Sequence, residues 1–159
     1  MKKTVKRIIC SLLALLLVCG LTACGGTKSV DPKTCTYDEM VDYLTAKGYI
    51  SKDAAAVDML TTEGYITDNT GGDIPYAPFA DKAHDYDGLW LMWWDSATPS
   101  EAYTNCFKNL AMNEGTIVYM GGAAVLETAA YNGNFAIAFG EGYAQKDAVT
   151  ADFQALSQK

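Results

Sequence analysis

The side chains of this chain that could carry chemistry are one histidine, nineteen acids and five cysteines. His84 sits with Asp81, Asp85 and Asp87 in a stretch from Asp68 to Gly88 that is rich in Gly, Asp and Pro. A calcium loop asks for oxygen ligands at its first, third and fifth positions, glycine at the sixth and glutamate at the twelfth. With Gly88 as the turn glycine, Asp85 and Asp87 fit, but Ala83 and Trp94 fall at the first and last positions. The pattern fails at both ends. An enzyme needs a nucleophile, a base and an electrophilic stabiliser within reach of one another, and no G-x-S-x-G, H-E-x-x-H or Walker loop is present. Two distant cysteines and His84 do not make the four ligands of a zinc site. No metal and no cofactor is therefore expected. Paired carboxylates can cleave glycosides, so a small carboxylate-dependent enzyme acting on cell-wall or surface polysaccharide is the alternative to a non-enzymatic domain.

The aromatic residues offer a second kind of chemistry, that of contact. Leu89-Trp90-Leu91-Met92-Trp93-Trp94 is apolar throughout. As a strand it would put Leu89, Leu91 and Trp93 on one side and Trp90, Met92 and Trp94 on the other. Apolar residues on both sides predict an interior strand covered on both faces. The competing reading is a stacking surface for sugar rings, since aromatic side chains serve in cores and at binding sites alike. Tyr76, Phe79, His84, Tyr86, Trp90 and Trp94 are the candidate ligand contacts.

Ahead of these lies a leader. Lys2, Lys3, Lys6 and Arg7 precede an almost wholly apolar run from Ile8 to Val18, and small residues follow up to Cys24. A charged n-region, a short apolar h-region and a small-residue cleavage site form a secretory signal peptide. A membrane-spanning helix would need about 20 apolar residues, and this run ends after about 14. Leu21-Thr22-Ala23-Cys24 resembles the lipobox of bacterial lipoprotein precursors. The resemblance covers residues 1 to 26 alone. It implies removal of residues 1–23, a diacylglyceryl group on Cys24, and a protein held on the outer face of a bacterial cell membrane, or in an outer membrane. Two acyl chains suffice for stable anchoring where one is marginal.

Removing that leader changes the composition. It takes four of the twelve cations and no acid, leaving eight lysines against nineteen acids, a formal charge of −11 in place of −7. No arginine remains. A chain so acidic is unsuited to nucleic acid, and anionic headgroups repel it, so the lipid is the expected membrane partner. Cys10 and Cys19 leave with the signal, and Cys35 and Cys106 remain. They could form a disulfide outside the membrane. Against this, Cys106 falls on the apolar side of a predicted helix and Cys35 in a predicted tether. Both states stay open at this point.

The elements that must position these residues follow from periodicity and terminators. Residues 24–36 are expected to be a flexible tether, and residues 37–159 one α+β domain. Leu44-Thr45-Ala46-Lys47-Gly48-Tyr49-Ile50-Ser51 returns as Leu60-Thr61-Thr62-Glu63-Gly64-Tyr65-Ile66-Thr67. Tyr37, Met40, Val41 and Leu44 share a helical face, and Gly48 and Gly64 suit helix ends. An αα-hairpin over 37–67 is the expectation, its second helix carrying Ala56, Val57 and Leu60 inward. A loop over 68–88 follows. Residues 89–159 then read β-α-β-β-β-α: strand 89–94, a helix capped by Thr98 with Pro99 at its first position, strands at 116–120, 123–131 and 135–139 with an Asn132-Gly133 turn, and helix 146–156. The sum is an α+β layer sandwich, with a ferredoxin-like arrangement as one form of it. Its expected role is to bind an extracytoplasmic ligand or protein partner, with the 68–88 loop and the helical hairpin as contact surface. A structural accessory subunit of a membrane complex is the further alternative.

Overall fold

The computed structural model describes residues 29–60, 65–67, 70–122 and 124–156. The leader with Leu21, Thr22, Ala23 and Cys24 lies outside them, as does part of the second copy of the repeat. Among the described residues no helix is long and apolar enough to cross a membrane.

The tryptophan-rich segment organises the rest. It forms strand β5 (Leu89–Trp93), central in an antiparallel five-stranded sheet. Its neighbours are β4 (Lys82–Tyr86) and β9 (Phe135–Phe139), and the edges are β1 (Val57–Asp58) and β8 (Ala130–Asn132). Two ribbons stand apart: β2 (Tyr65–Thr67) with β3 (Asp73–Pro75), and β6 (Thr116–Tyr119) with β7 (Ala124–Glu127). The helices are α1 (Tyr37–Ala46), α2 (Glu101–Asn105) and α3 (Lys146–Ala155). The chain is an α+β fold.

Side-chain alternation gives the sheet two buried faces. On the first, Leu89 and Leu91 join Tyr86, Phe135, Ile137 and Ala130, covered by Met40 and Leu44 of α1 and by Val149 and Phe153 of α3. On the second, Met92 and Trp94 join Ala83, Ala136 and Ala138, covered by Phe79, by Cys106 and Leu110 after α2, and by Ile117 of β6. The interior-strand reading holds. The cover is mixed: α1 shares the first face with the C-terminal helix, and the β6–β7 ribbon and α2 take the second, with Met59 and Leu60 packed beside them.

Local signals placed α1 well. Thr36 accepts from Glu39 N while the Glu39 carboxylate accepts from Thr36 N, a reciprocal cap. Gly48, at φ 77°, ends the helix, with Tyr49 N and Ile50 N both donating to Leu44 O. The second helix of the expected hairpin does not form. Residues 51–56 turn, and β1 pairs Val57 with Asp85 and Asp58 with His84. Ala56 is exposed and Val57 is 60% exposed. The open edge of β4 takes Val57 and Asp58 as its partners, and the stretch packs Ala54, Met59 and Leu60, partly buried, against the core without forming a helix.

The 68–88 segment is likewise no simple loop, because it contains β3 and β4. Asp87 (φ 51°) and Gly88 (φ 95°) make the two-residue turn between β4 and β5, the positive-φ pair that right-twisted strands favour. The expected strand over 123–131 divides around Thr128, whose hydroxyl and amide both donate to Gly115 O. Its first half joins β6 and its second half the main sheet. Because α2 is followed by this separate ribbon and not by a strand of the main sheet, the connectivity departs from the ferredoxin-like form. The cap of α2 is Ser100, accepting from Tyr103 N, in place of Thr98. The β8–β9 turn uses Gly133 and Asn134, with Gly133 at φ 57°.

The tether is shorter than expected. Pro32 is buried, its carbonyl accepts from Asn134 N at 2.9 Å, and Lys33 O accepts from Asn134 Nδ2 at 3.1 Å. Val30 and Cys35 pack against the core beneath α1.

Candidate functional site

Alternation along β4 turns Lys82, His84 and Tyr86 to the face that α1 covers, and the first residue of α1, Tyr37, meets them there. The Tyr37 hydroxyl lies 2.9 Å from His84 Nδ1. Tyr86 O–H donates to the Tyr37 oxygen over a long 3.4 Å, and Leu91 O is a second acceptor for Tyr37 at 3.4 Å. A phenol carries one proton. With His84 as the Nε2–H tautomer, that proton goes to the nearer acceptor, Nδ1, so the chain runs from Tyr86 through Tyr37 to His84. Lys82 Nζ rests 5.3 Å from the centre of the Tyr37 ring and 6.0 Å from that of Trp93, within cation–π range. The Trp93 indole N–H is buried with no acceptor.

Burial pushes the Tyr37 hydroxyl far above its ordinary pKa, with its bond to Tyr86 adding to the effect. Burial raises Tyr86 as well. Both phenols keep their protons and act as donors. The arrangement orients the histidine ring. It does not produce a phenolate nucleophile.

Replacing Tyr37 with Phe should remove the Nδ1 partner and leave Tyr86 without its acceptor. The expected loss is about 1–2 kcal/mol of folding stability, read from urea unfolding. An unchanged midpoint would show that the chain contributes nothing.

The candidate contacts from sequence divide between the two faces. His84 and Tyr86 come together, with Tyr37. On the other face Phe79 and Trp94 come together, Trp94 Nε1 donating to Phe79 O at 2.9 Å. Both are buried in the core, as is Tyr86 on the first face. Trp90 packs partly buried beside them, its indole N–H also without an acceptor. Tyr76 is partly exposed after β3. Tyr37, Lys82 and Trp93 were missed. Tyr37 had been read as a core residue of α1, and Lys82 is legible only once β4 is recognised as a strand.

The acids of the 81–95 region serve the backbone. Asp85 Oδ1 accepts from Gly88 N at 2.6 Å, Asp81 Oδ2 from Asp95 N at 2.7 Å, and Asp95 Oδ1 from Ala97 N and Thr98 N. Those of Asp85 and Asp95 are local turn bonds, and that of Asp81 ties together the segments on either side of the β4–β5 hairpin. Among the described residues no three His, Cys, Asp or Glu side chains gather as a metal would require.

The disulfide does not form. Cys35 packs on the α1 side of the sheet and Cys106 on the opposite side, both as free thiols. Cys35 borders an open cavity of about 550 Å³ with Asp31, Glu39, Asp42 and Tyr43. Burial, then the Glu39 and Asp31 charges, push its thiol up to about 11 from 9.0. Burial and a bond to Asp152 likewise push Tyr49 up to about 12 from 10.0. Below pH 9 folded and unfolded chains both hold these protons. Above it the unfolded chain releases them first, so stability should fall between about pH 9 and 12. Urea midpoints across that range, with Cys35→Ser and Tyr49→Phe flattening the decline, check this. Cys35 should also alkylate slowly at neutral pH.

Compared with family models, curated proteins and solved structures, the chain finds no match.

Proposed function

We propose that this chain is a lipid-anchored extracytoplasmic bacterial lipoprotein whose folded domain binds a ligand or protein partner and performs no catalysis. The leader, the lipobox-like Leu21-Thr22-Ala23-Cys24 and the acidic mature chain support the anchor. One observation carries the non-enzymatic half: the histidine has its Nδ1 tied to Tyr37, one of two buried phenols that retain their protons. A general base works on a nucleophile, and the hydroxyl facing His84 Nδ1 is a phenol that burial keeps protonated, while Asp81, Asp85 and Asp95 each accept backbone amides. The half-exposed side of His84, with Lys82 and Trp93, is the favoured contact surface, and Tyr76 is a separate one.

The experiment is capture from detergent-solubilised membranes with the lipidated protein as bait, beside the His84→Ala and Lys82→Ala variants. A partner retained by the wild type and lost with both variants supports the reading. Release of fragments from wall polymer by the purified protein, abolished by replacing Asp81, Asp85, Asp87 or Asp95, would establish the carboxylate enzyme instead.

A further inference from the structure

We propose that the Tyr86–Tyr37–His84 chain is a two-way relay that reverses when His84 takes up a proton, leaving every member satisfied and the outward Nε2 a donor in both charge states.

The neutral state holds one partner in reserve. There the Tyr37 hydroxyl donates to His84 Nδ1 over 2.9 Å, and its oxygen accepts from Tyr86 O–H over 3.4 Å. Leu91 O, also 3.4 Å from the Tyr37 oxygen, is the acceptor left over. A protonated imidazole has two N–H donors and no acceptor, so its Nδ1 can only give. The Tyr37 oxygen has two lone pairs and can accept from His84 and from Tyr86 together. Its own proton then turns to Leu91 O. Rotation of one hydroxyl converts the first state to the second, and no buried donor or acceptor is stranded. A backbone carbonyl at Nδ1 could only accept and a backbone amide could only donate. A phenol does both.

The fold fixes the parts. Tyr37 follows directly on the Thr36 cap of α1, and His84 and Tyr86 are set by the β4–β5 ladder, where they face Leu91 and Leu89. Tyr37 and Tyr86 are buried, and desolvation keeps both phenols protonated. The relay therefore has both hydroxyls in either state.

The far nitrogen reaches solvent. His84 is half-buried, and the buried side-chain nitrogens without a partner among the described residues are those of Trp90 and Trp93. When Nδ1 receives the Tyr37 proton, Nε2 must carry the proton of the neutral ring, and in the charged ring it carries one as well. Whatever meets this side of the histidine meets an N–H. Lys82, two residues back on the same strand face, adds donors and no acceptor. The acids facing the relay are Asp58, opposite His84 in the β1–β4 ladder, and Asp38 in the first turn of α1. From β5 come Leu91 and Trp93, which do not titrate. Proton uptake thus changes the charge of this surface and leaves its hydrogen-bonding pattern alone.

The test is an NMR titration of the purified full-length protein with its imidazole nitrogens isotopically labelled. His84 is the one histidine of the chain, so the signals need no assignment. At the alkaline end the ring proton should sit on Nε2. At the acid end both nitrogens should carry protons, the Nδ1 proton exchanging with water several-fold more slowly than the Nε2 proton. Tyr37→Phe should give a mixture of tautomers and similar exchange at the two nitrogens, whereas Tyr86→Phe should behave as the wild type. A neutral wild-type ring protonated at Nδ1 overturns the proposal. So do equal exchange rates in the charged wild-type ring, or loss of the native tryptophan signals in step with His84 protonation. Tyr37→Phe spectra with the wild-type tautomer and exchange rates also overturn it. If that variant does not fold, the wild-type spectra decide alone.

Discussion

If the chain is the proposed lipoprotein, replacing Cys24 with Ala should move it from the membrane fraction to the soluble or secreted fraction. The thiol is the group that a lipobox presents for acylation, and alanine offers nothing in its place. Each buried CH₂ of an acyl chain contributes about 0.8 kcal/mol, and stable anchoring requires two membrane signals. Without the leader the chain carries eight lysines and no arginine against nineteen acids, so anionic headgroups repel it. The apolar run of the leader is itself too short to span the hydrocarbon core. The measurement is fractionation with intact mass, in which the wild-type protein shows a lipid adduct on a chain beginning at Cys24. Retention of the Ala variant on the membrane with its leader removed would sink the anchor reading.

Replacing Trp94 with Ala should cost about 3–5 kcal/mol of folding stability, the range for emptying a buried aromatic site. Trp94 is 0% exposed. Its ring lies 4.9 Å from that of Phe107, and its N–H is the donor to Phe79 O. Truncation opens a cavity between the sheet and the α2 segment and leaves a buried carbonyl without its donor. Against a total stability of roughly 5–15 kcal/mol, such a loss approaches global unfolding. Trp94→Phe retains most of the volume and should lose about 1–3 kcal/mol, the cost of the stranded carbonyl. Urea unfolding of the three proteins reads both steps. A change below about 1 kcal/mol for the Ala variant would mean the site is not the packed core described. The same burial bears on ligand binding. In a Trp90→Phe, Trp93→Phe background, the fluorescence of Trp94 should not respond to glycan fragments.

The two faces of β5 were legible because side-chain direction in a strand alternates with period two, whatever the strand pairs with. Helix α1 was legible for a similar reason: its cap, its apolar stripe and its terminal Gly48 all lie within twelve residues of one another. The helix expected after it does not form because the local caps and terminators are outweighed by pairing of Val57 and Asp58 with β4, which still lets Met59 and Leu60 reach the core. Ala56 and Val57 have nothing to bury against. Strand β4 was missed although Asp87-Gly88, a dipeptide suited to tight hairpins, stands directly before the apolar β5. Treating Gly88 only as a cation-loop glycine concealed the turn. Lys82-Ala83-His84-Asp85-Tyr86 holds too few apolar residues to announce a strand, and its partner supplies the reason it is one.

The sequence by itself determined the two-faced central strand and the α+β class, and it supports, as expectations, the leader, the lipid-bearing cysteine and the acidic mature chain. Each of these is a property of composition or of residues close in the chain. Tertiary structure decided the rest. It placed Tyr37 against His84 and Tyr86 across separations of 47 and 49 residues. It set Cys35 and Cys106 on opposite faces of the sheet, and it seated Pro32 on Gly133 so that a presumed tether became part of the domain. The physical reason is common to all three. Which distant segments meet depends on the pairing of sheet edges and the burial of whole faces, and those energies override the modest local preferences that sequence patterns report.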